Sequence, residues 1–204
     1  AVDSSDVSCP DEGVARRMRA AIDAAREDGE SLGGVFVVVA EGLVPGVGGY
    51  VEAESRLDAR LGAAVLSIPA IKGLEFGDGF MSAALPGSQV HDEILPGDRP
   101  LVRATNHAGG IEGGMTNGET LVLRAAMKPI PTLMRPLRTV DIVTGEVADA
   151  ARERSDVCAV PAAAVVAEAE VALVLADAYQ DLLGRASVGD MTGALVSYRA
   201  RIGW

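Results

Sequence analysis

The run from Thr105 to Pro129 limits the folds open to this chain more than any other stretch. It places two glycine pairs, Gly109-Gly110 and Gly113-Gly114, ahead of an apolar segment that ends in Lys128. Glycine permits positive φ and a close approach of the backbone to a ligand, whereas apolar residues tie the segment to a core. The run therefore predicts a ligand-facing loop held on a rigid strand of residues 120–127.

Apolar residues recur at helical spacing in segments that predict helices over residues 11–28, 57–67 and 161–183. Gly29 is a plausible stop for the first helix, and Pro69 ends the second because it disfavours helical geometry at Ile68. Pro161 suits a first helical turn, and Gly184 suits a C-terminal cap. The third helix is apolar on nearly every face, which predicts that protein surrounds it.

Two further segments predict β-structure. The β-branched run of residues 35–40 predicts a strand buried on both faces. Residues 139–143 and 146–148 predict a hairpin that turns at Thr144-Gly145. A buried helix among sheets indicates a layered α+β fold, with helices packed against antiparallel sheets. We expect one domain over residues 1–204.

The charge pattern and the apolar segments exclude several classes of protein. A net charge of −11 argues against general affinity for nucleic acid or anionic lipid, since both require a basic surface. The longest apolar stretch, residues 157–167, is too short to span a bilayer, and no signal peptide is evident. The two cysteines and two histidines lack metal-ligand spacing. We expect a cytoplasmic protein with no membrane partner and no metal.

Several separated motifs, including the opening run, resemble the chorismate synthase family in order and spacing. They occupy residues 68–80, 87–93, 105–132 and 154–156. The resemblance covers residues 32–183 and implies a core of helices sandwiched between antiparallel sheets. Family members are longer, and their Gly-x-Ser-His-Gly and Arg-x-Ser-Ala-Arg-Glu motifs are absent from this sequence. The chain thus looks like a C-terminal half, which alone we do not expect to turn over substrate.

The resemblance implies a phosphate-eliminating carbon–oxygen lyase of the shikimate pathway, which supplies aromatic amino acid biosynthesis. The reaction is an anti-1,4-elimination that converts 5-enolpyruvylshikimate 3-phosphate to chorismate and phosphate. It requires reduced FMN, for which NADPH is a candidate reductant, without net oxidation. Family members are homotetramers. An alternative for this chain is a non-catalytic folding and oligomerisation module of the same protein.

The resemblance assigns the catalytic role to Asp156, beside the flavin ring, where it accepts or assists transfer of a proton. From the residues alone, Asp156 could instead cap a helix that begins near Val157. Arg154 matches a flavin-contacting arginine, although by default it would be a surface residue paired with Glu153 or Asp149.

The remaining flavin-binding positions also follow from the resemblance. They are Pro69, Ala70, Gly113, Lys128, Pro129, Ile130, Pro131 and Thr132. His91 and His107 match neither of the family's catalytic histidines, and we expect them to be solvated or structural.

Overall fold

A computed structural model describes residue 2, residues 4–97 and residues 99–204 of the chain. The described helices are α1 Glu12–Glu27, α2 Leu57–Leu66, α3 Gly79–Ser82, α4 Val160–Leu183 and α5 Val188–Ile202. The strands are β1 Gly34–Ala40, β2 Ile71–Phe76, β3 Ile94–Leu95, β4 Val102–Arg103, β5 Ile111–Glu112, β6 Met115–Thr116, β7 Leu121–Met127, β8 Arg138–Val140 and β9 Val147–Asp149. Short 3₁₀ turns lie at Ala53–Ser55 and Gly87–Gln89.

The strands form one three-stranded sheet and several hairpins. The three-stranded sheet has the order β1-β7-β2. The pairs β3-β4, β5-β6 and β8-β9 are antiparallel. Together with the helices, these sheets confirm the predicted α+β class.

Helix α1 begins and ends where its sequence signals predict. The Asp11 side chain accepts a hydrogen bond from the Val14 amide and caps the N-terminus. At the other end, Gly29 takes φ +72° and the Glu30 amide donates to the Ala25 carbonyl. This Schellman arrangement satisfies the last carbonyls and redirects the chain towards β1.

The prediction that β1 is buried on both faces is wrong. Phe36 and Val38 are 7% exposed, whereas Val35, Val37 and Val39 are between 51% and 57% exposed. Side chains alternate across a strand, so one face lies against the core and the other carries a row of valines. The sequence of this strand alone cannot distinguish these cases, because the side chains on both faces are apolar.

Helix α4 occupies the predicted position, but the expectation that protein surrounds it is also wrong for this chain. Ala163, Ala167 and Val171 are buried along one stripe, while Val165 and Leu173 are 61% and 66% exposed. Gly184 follows with φ +99°, as expected of a residue after a helix end.

The hairpin predicted after β7 is present, with shorter strands than expected. Thr139 pairs with Ala148 and Val140 with Val147, so the loop spans residues 141–146. Gly145 supplies the positive φ that the turn requires, +73°. Ile142 and Val143, assigned to a strand by the sequence, are 98% and 90% exposed in this loop.

The chain divides into two compact units. The first contains Ala1–Phe36 and Ala126–Val165, and the second contains Val37–Ala125 and Val166–Trp204. In the second unit, Leu57, Leu61, Val65, Leu121 and Leu123 are fully buried. The single domain expected over residues 1–204 stays a prediction.

Candidate functional site

The segment Lys128–Thr132 follows β7 in the first unit and is held by side chains from other parts of that unit. Ser31 donates a hydrogen bond of 2.6 Å to the Ile130 carbonyl, and Ser155 donates one of 3.3 Å to the Thr132 carbonyl. Pro129 and Pro131 have no amide hydrogen, so the carbonyls are the main points of attachment. The segment is thus stiff and anchored from outside.

Thr132, Arg154 and Asp156 line one cavity of about 400 Å³ in the first unit. The structure therefore brings together residues predicted from two separate motifs. Lys128, Pro129, Ile130 and Pro131 do not line this cavity, although they belong to the same segment as Thr132.

The two alternative structural interpretations of Asp156 and Arg154 are not borne out. Helix α4 begins at Val160, and Asp156 makes no hydrogen bond to it within the described part of the chain. Nor does Arg154 pair with Glu153, Asp149 or any other described carboxylate. Both charged groups are exposed and available to a ligand.

Arg26, Glu30 and Met134 also line this cavity, and sequence reasoning missed them. Arg26 lies in the last turn of α1, where it pairs with Asp23 at 2.8 Å. The Arg135 amide donates to the Gly29 carbonyl, which brings the end of α1 beside the chain after Thr132. This contact joins residues distant in sequence, so no local pattern could reveal it.

Pro69 and Ala70 form a strained turn between α2 and β2 in the second unit. The Ile71 amide donates to the Ile68 carbonyl, and Ala70 has φ +69°. A type II turn favours proline at its second position and requires positive φ at its third, where glycine is normal. An alanine there costs about 1–2 kcal/mol. Such an outlier supports a functional hypothesis for this turn.

Gly113 lies at the tip of the hairpin formed by β5 and β6. Gly113 and Gly114 take φ +60° and +89°, as a two-residue hairpin turn requires. A Cβ placed on Gly113 would meet no atom within 4 Å. Open space thus faces the α-carbon, which leaves room for a ligand against the backbone.

His91 and His107 line a second cavity of about 410 Å³ with Asp92, in the second unit. His107 Nδ1 lies 2.5 Å from Asp78 Oδ2, so His107 has a structural partner, as expected. Within the described residues, no group of three or more His, Cys, Asp or Glu side chains could hold a metal ion. No described helix has the length and apolar character needed to cross a membrane.

Comparison with protein families and curated sequences gives consistent matches. A family model described as chorismate synthase matches residues 1–180. Chorismate synthase of Rubrobacter xylanophilus is 56% identical over 201 residues, covering 98% of this chain and 52% of that protein. Chorismate synthase of Mycobacterium avium is 53% identical over 202 residues, covering 99% of this chain and 50% of that protein.

A solved structure described as a crystal structure of chorismate synthase matches with a TM-score of 0.83 and 39% identity. The match covers 98% of this chain and 53% of that chain. The chain spans about half the length of these relatives.

Proposed function

This chain belongs to the chorismate synthase family, as its motifs predict, and we propose that it supplies the FMN-binding half of such an enzyme. The complete protein would convert 5-enolpyruvylshikimate 3-phosphate to chorismate and phosphate. We place it in the cytoplasm as a homotetramer, with NADPH as candidate reductant of the flavin. The isolated chain is expected to bind FMN without turning over substrate.

The observation that carries the proposal is the convergence of Thr132, Arg154 and Asp156 on one cavity. A hydroxyl, a guanidinium and a carboxylate there offer a donor, a fixed cation and a proton acceptor. The segment Lys128–Thr132 and the residues 154–156 come from separate motifs. Their meeting in one unit supports a shared ligand.

The residues present suit FMN, whose phosphate is anionic and whose ring is planar. Lys128 and Arg154 have no carboxylate partner among the described residues, although acidic residues outnumber basic ones by 29 to 18. The cations are therefore unpaired despite an excess of carboxylates, which suits an anionic ligand. The open space at Gly113 and the strained backbone at Ala70 fit contacts made through the main chain.

Lys128 and Arg154 would hold reduced FMN, which would supply reversible electron transfer for the loss of phosphate and of a ring proton with no net oxidation. Asp156 would accept a proton at a carboxylate oxygen. Its backbone is fixed by the following residue, because the Leu32 amide donates to the Val157 carbonyl at 2.7 Å. Arg154 would hold negative charge in the same cavity and orient the ligand towards Asp156.

The test is chorismate formation by this chain assembled with the portion of the Rubrobacter xylanophilus enzyme that it does not match. Reduced FMN and 5-enolpyruvylshikimate 3-phosphate are supplied anaerobically, and chorismate and phosphate are both measured. Asp156→Ala should lower the rate by about a hundredfold or more, because a positioned general base contributes that much. Glu153→Ala, which removes a nearby exposed carboxylate, should leave the rate unchanged.

Failure of the assembled protein to form chorismate would contradict the proposed reaction. A near-normal rate in Asp156→Ala would contradict the role of Asp156 alone.

A second candidate function is a non-catalytic folding and assembly module. The row of Val35, Val37 and Val39 favours it, because contiguous exposed apolar surface often marks an interaction site. The two functions differ in ligand binding: an assembly module would bind no FMN.

A further inference from the structure

The connector between α1 and β1, residues 28–33, contacts both segments that line the cavity of Thr132, Arg154 and Asp156. All of these residues belong to the first unit. None of the flavin-binding positions that the family resemblance predicts lies in the connector. Its contacts are backbone hydrogen bonds, one buried hydroxyl and close packing of glycine.

Ser31 is the side-chain contact to the first segment. It is 8% exposed, and its hydroxyl lies 2.6 Å from the Ile130 carbonyl oxygen. A buried serine must satisfy its hydroxyl, and among the described residues the partner of the Ser31 hydroxyl is the Ile130 carbonyl of this segment. Because Pro129 and Pro131 have no amide hydrogen to donate, the segment depends on bonds that its carbonyls accept, and the bond from Ser31 is one of these.

Leu32 is the backbone contact to the second segment. Its amide donates to the Val157 carbonyl at 2.7 Å, and Leu32 forms a parallel bridge with Cys158. These bonds fix the chain immediately after Asp156. Adjacent residues of the connector thus hold the two segments separately, one through Ile130 and one through Val157.

Gly33 sets how closely the connector lies against the first segment. A Cβ on Gly33 would overlap the Met127 carbonyl oxygen and lie 2.9 Å from the Pro129 ring nitrogen. Real Cβ atoms do not approach backbone this closely, so any side chain would push the segment away. The distance between the connector and the segment is therefore fixed by the close contact at Gly33.

We infer that Ser31 is a positioning residue that sets the Lys128–Thr132 segment relative to Asp156. The inference rests on the proposed function for the identity of the ligand, FMN. Ser31 acts through Ile130 and touches no ligand itself. Its loss should loosen the segment and weaken binding without removing any ligand-contacting group.

The test compares Ser31→Ala with Ser67→Ala. Ser67 also donates to a carbonyl at 2.6 Å, that of Ala64, but both of these residues belong to the second unit. Hydrogen exchange of peptides covering residues 128–135 should become roughly fivefold faster in Ser31→Ala, the effect of one neutral hydrogen bond. Affinity for reduced FMN should fall by a similar factor, roughly fivefold. Ser31→Thr, which keeps the hydroxyl, should restore both.

Each result has a distinct meaning. Unchanged exchange and unchanged FMN affinity in Ser31→Ala would overturn the positioning role. Equal effects of Ser31→Ala and Ser67→Ala on residues 128–135 would overturn it as well, since a general loss of stability would then explain both. Absence of FMN binding by the unsubstituted chain would instead overturn the proposed function, while the exchange measurement would still judge the Ser31 contact.

Discussion

At the residue scale, the proposed flavin site contains charged side chains that have no ion-pair partner among the described residues. Arg60 pairs with Asp177 and Asp181, whereas Arg154 pairs with no described carboxylate. Motif resemblance predicts Arg154, Asp156 and Thr132 as residues of the flavin site. It could not place Arg26 in the same cavity, because that placement depends on the contact between Gly29 and Arg135.

Alanine substitutions at Gly113 and Gly145 distinguish the loss of a ligand contact from the cost of backbone strain. Both glycines have positive φ, +60° and +73°, and neither has an atom within 4 Å of an added Cβ. Alanine at either position should therefore cost about 1–2 kcal/mol of stability. Only Gly113→Ala should also weaken binding of reduced FMN, by about tenfold, because an added methyl obstructs the ligand.

Thermal unfolding gives the stability effect, and anaerobic FMN titration gives the binding effect. Equal FMN affinity in Gly113→Ala and Gly145→Ala would remove Gly113 from the proposed site.

At the scale of elements, local signals predicted boundaries well and burial poorly. Helix α2 ends at Leu66, as Pro69 requires, and β7 covers nearly the predicted range. The burial errors at β1 and α4 share a cause: apolar residues on several faces show that each face can be buried, but not which face another element covers.

Helix α5 was not predicted, although its caps carry signals. Ser187 accepts a hydrogen bond from the Asp190 amide, and Gly203 closes the helix with φ +71°. No residue of α5 is fully buried, but the sequence analysis overlooked an apolar stripe at helical spacing whose members are half-buried: Met191, Ala194, Leu195, Tyr198 and Ile202. Specific contacts also fix its end: Tyr198 donates to the Pro45 carbonyl, and Arg99 stacks over Trp204.

The turn at Asp78 and the loop at His107 form a pH-sensitive contact in the second unit. The hydrogen bond with Asp78 raises the pKa of His107 above its ordinary 6.5, with further help from the charge of Asp92 and against partial desolvation. Since the folded pKa exceeds the unfolded one, the pair stabilises the fold fully below pH 6.5. That contribution is lost as pH rises through the folded pKa.

We expect the melting temperature to fall between pH 6 and pH 9 by roughly 1–3 °C more in the unsubstituted chain than in His107→Gln. The backbone bond from the Asp78 amide to the His107 carbonyl persists in both proteins, so the difference isolates the imidazole. If the melting temperatures of the two proteins changed in parallel with pH, the imidazole would contribute nothing to stability in this range.

At the scale of the whole molecule, family and fold are established over nearly the full chain, whereas catalysis is proposed for a larger assembly. The matches cover 98% of this chain and about half of each relative. The sequence could predict this relation because several motifs agree in order and spacing. It could not predict which surfaces of this chain stay exposed, since those depend on what packs against them.

The most direct test of the central claim is a hydrogen-exchange footprint of reduced FMN on this chain, collected anaerobically. We predict slower exchange in residues 128–135, in residues 154–157 and around Gly113, with no change in α5 or the β8-β9 loop. Lys128→Ala should remove this protection at the same FMN concentration, whereas Arg17→Ala, an exposed charge on α1, should keep it. No protection of these segments, or protection confined to the cavity of His91 and His107, would contradict the account.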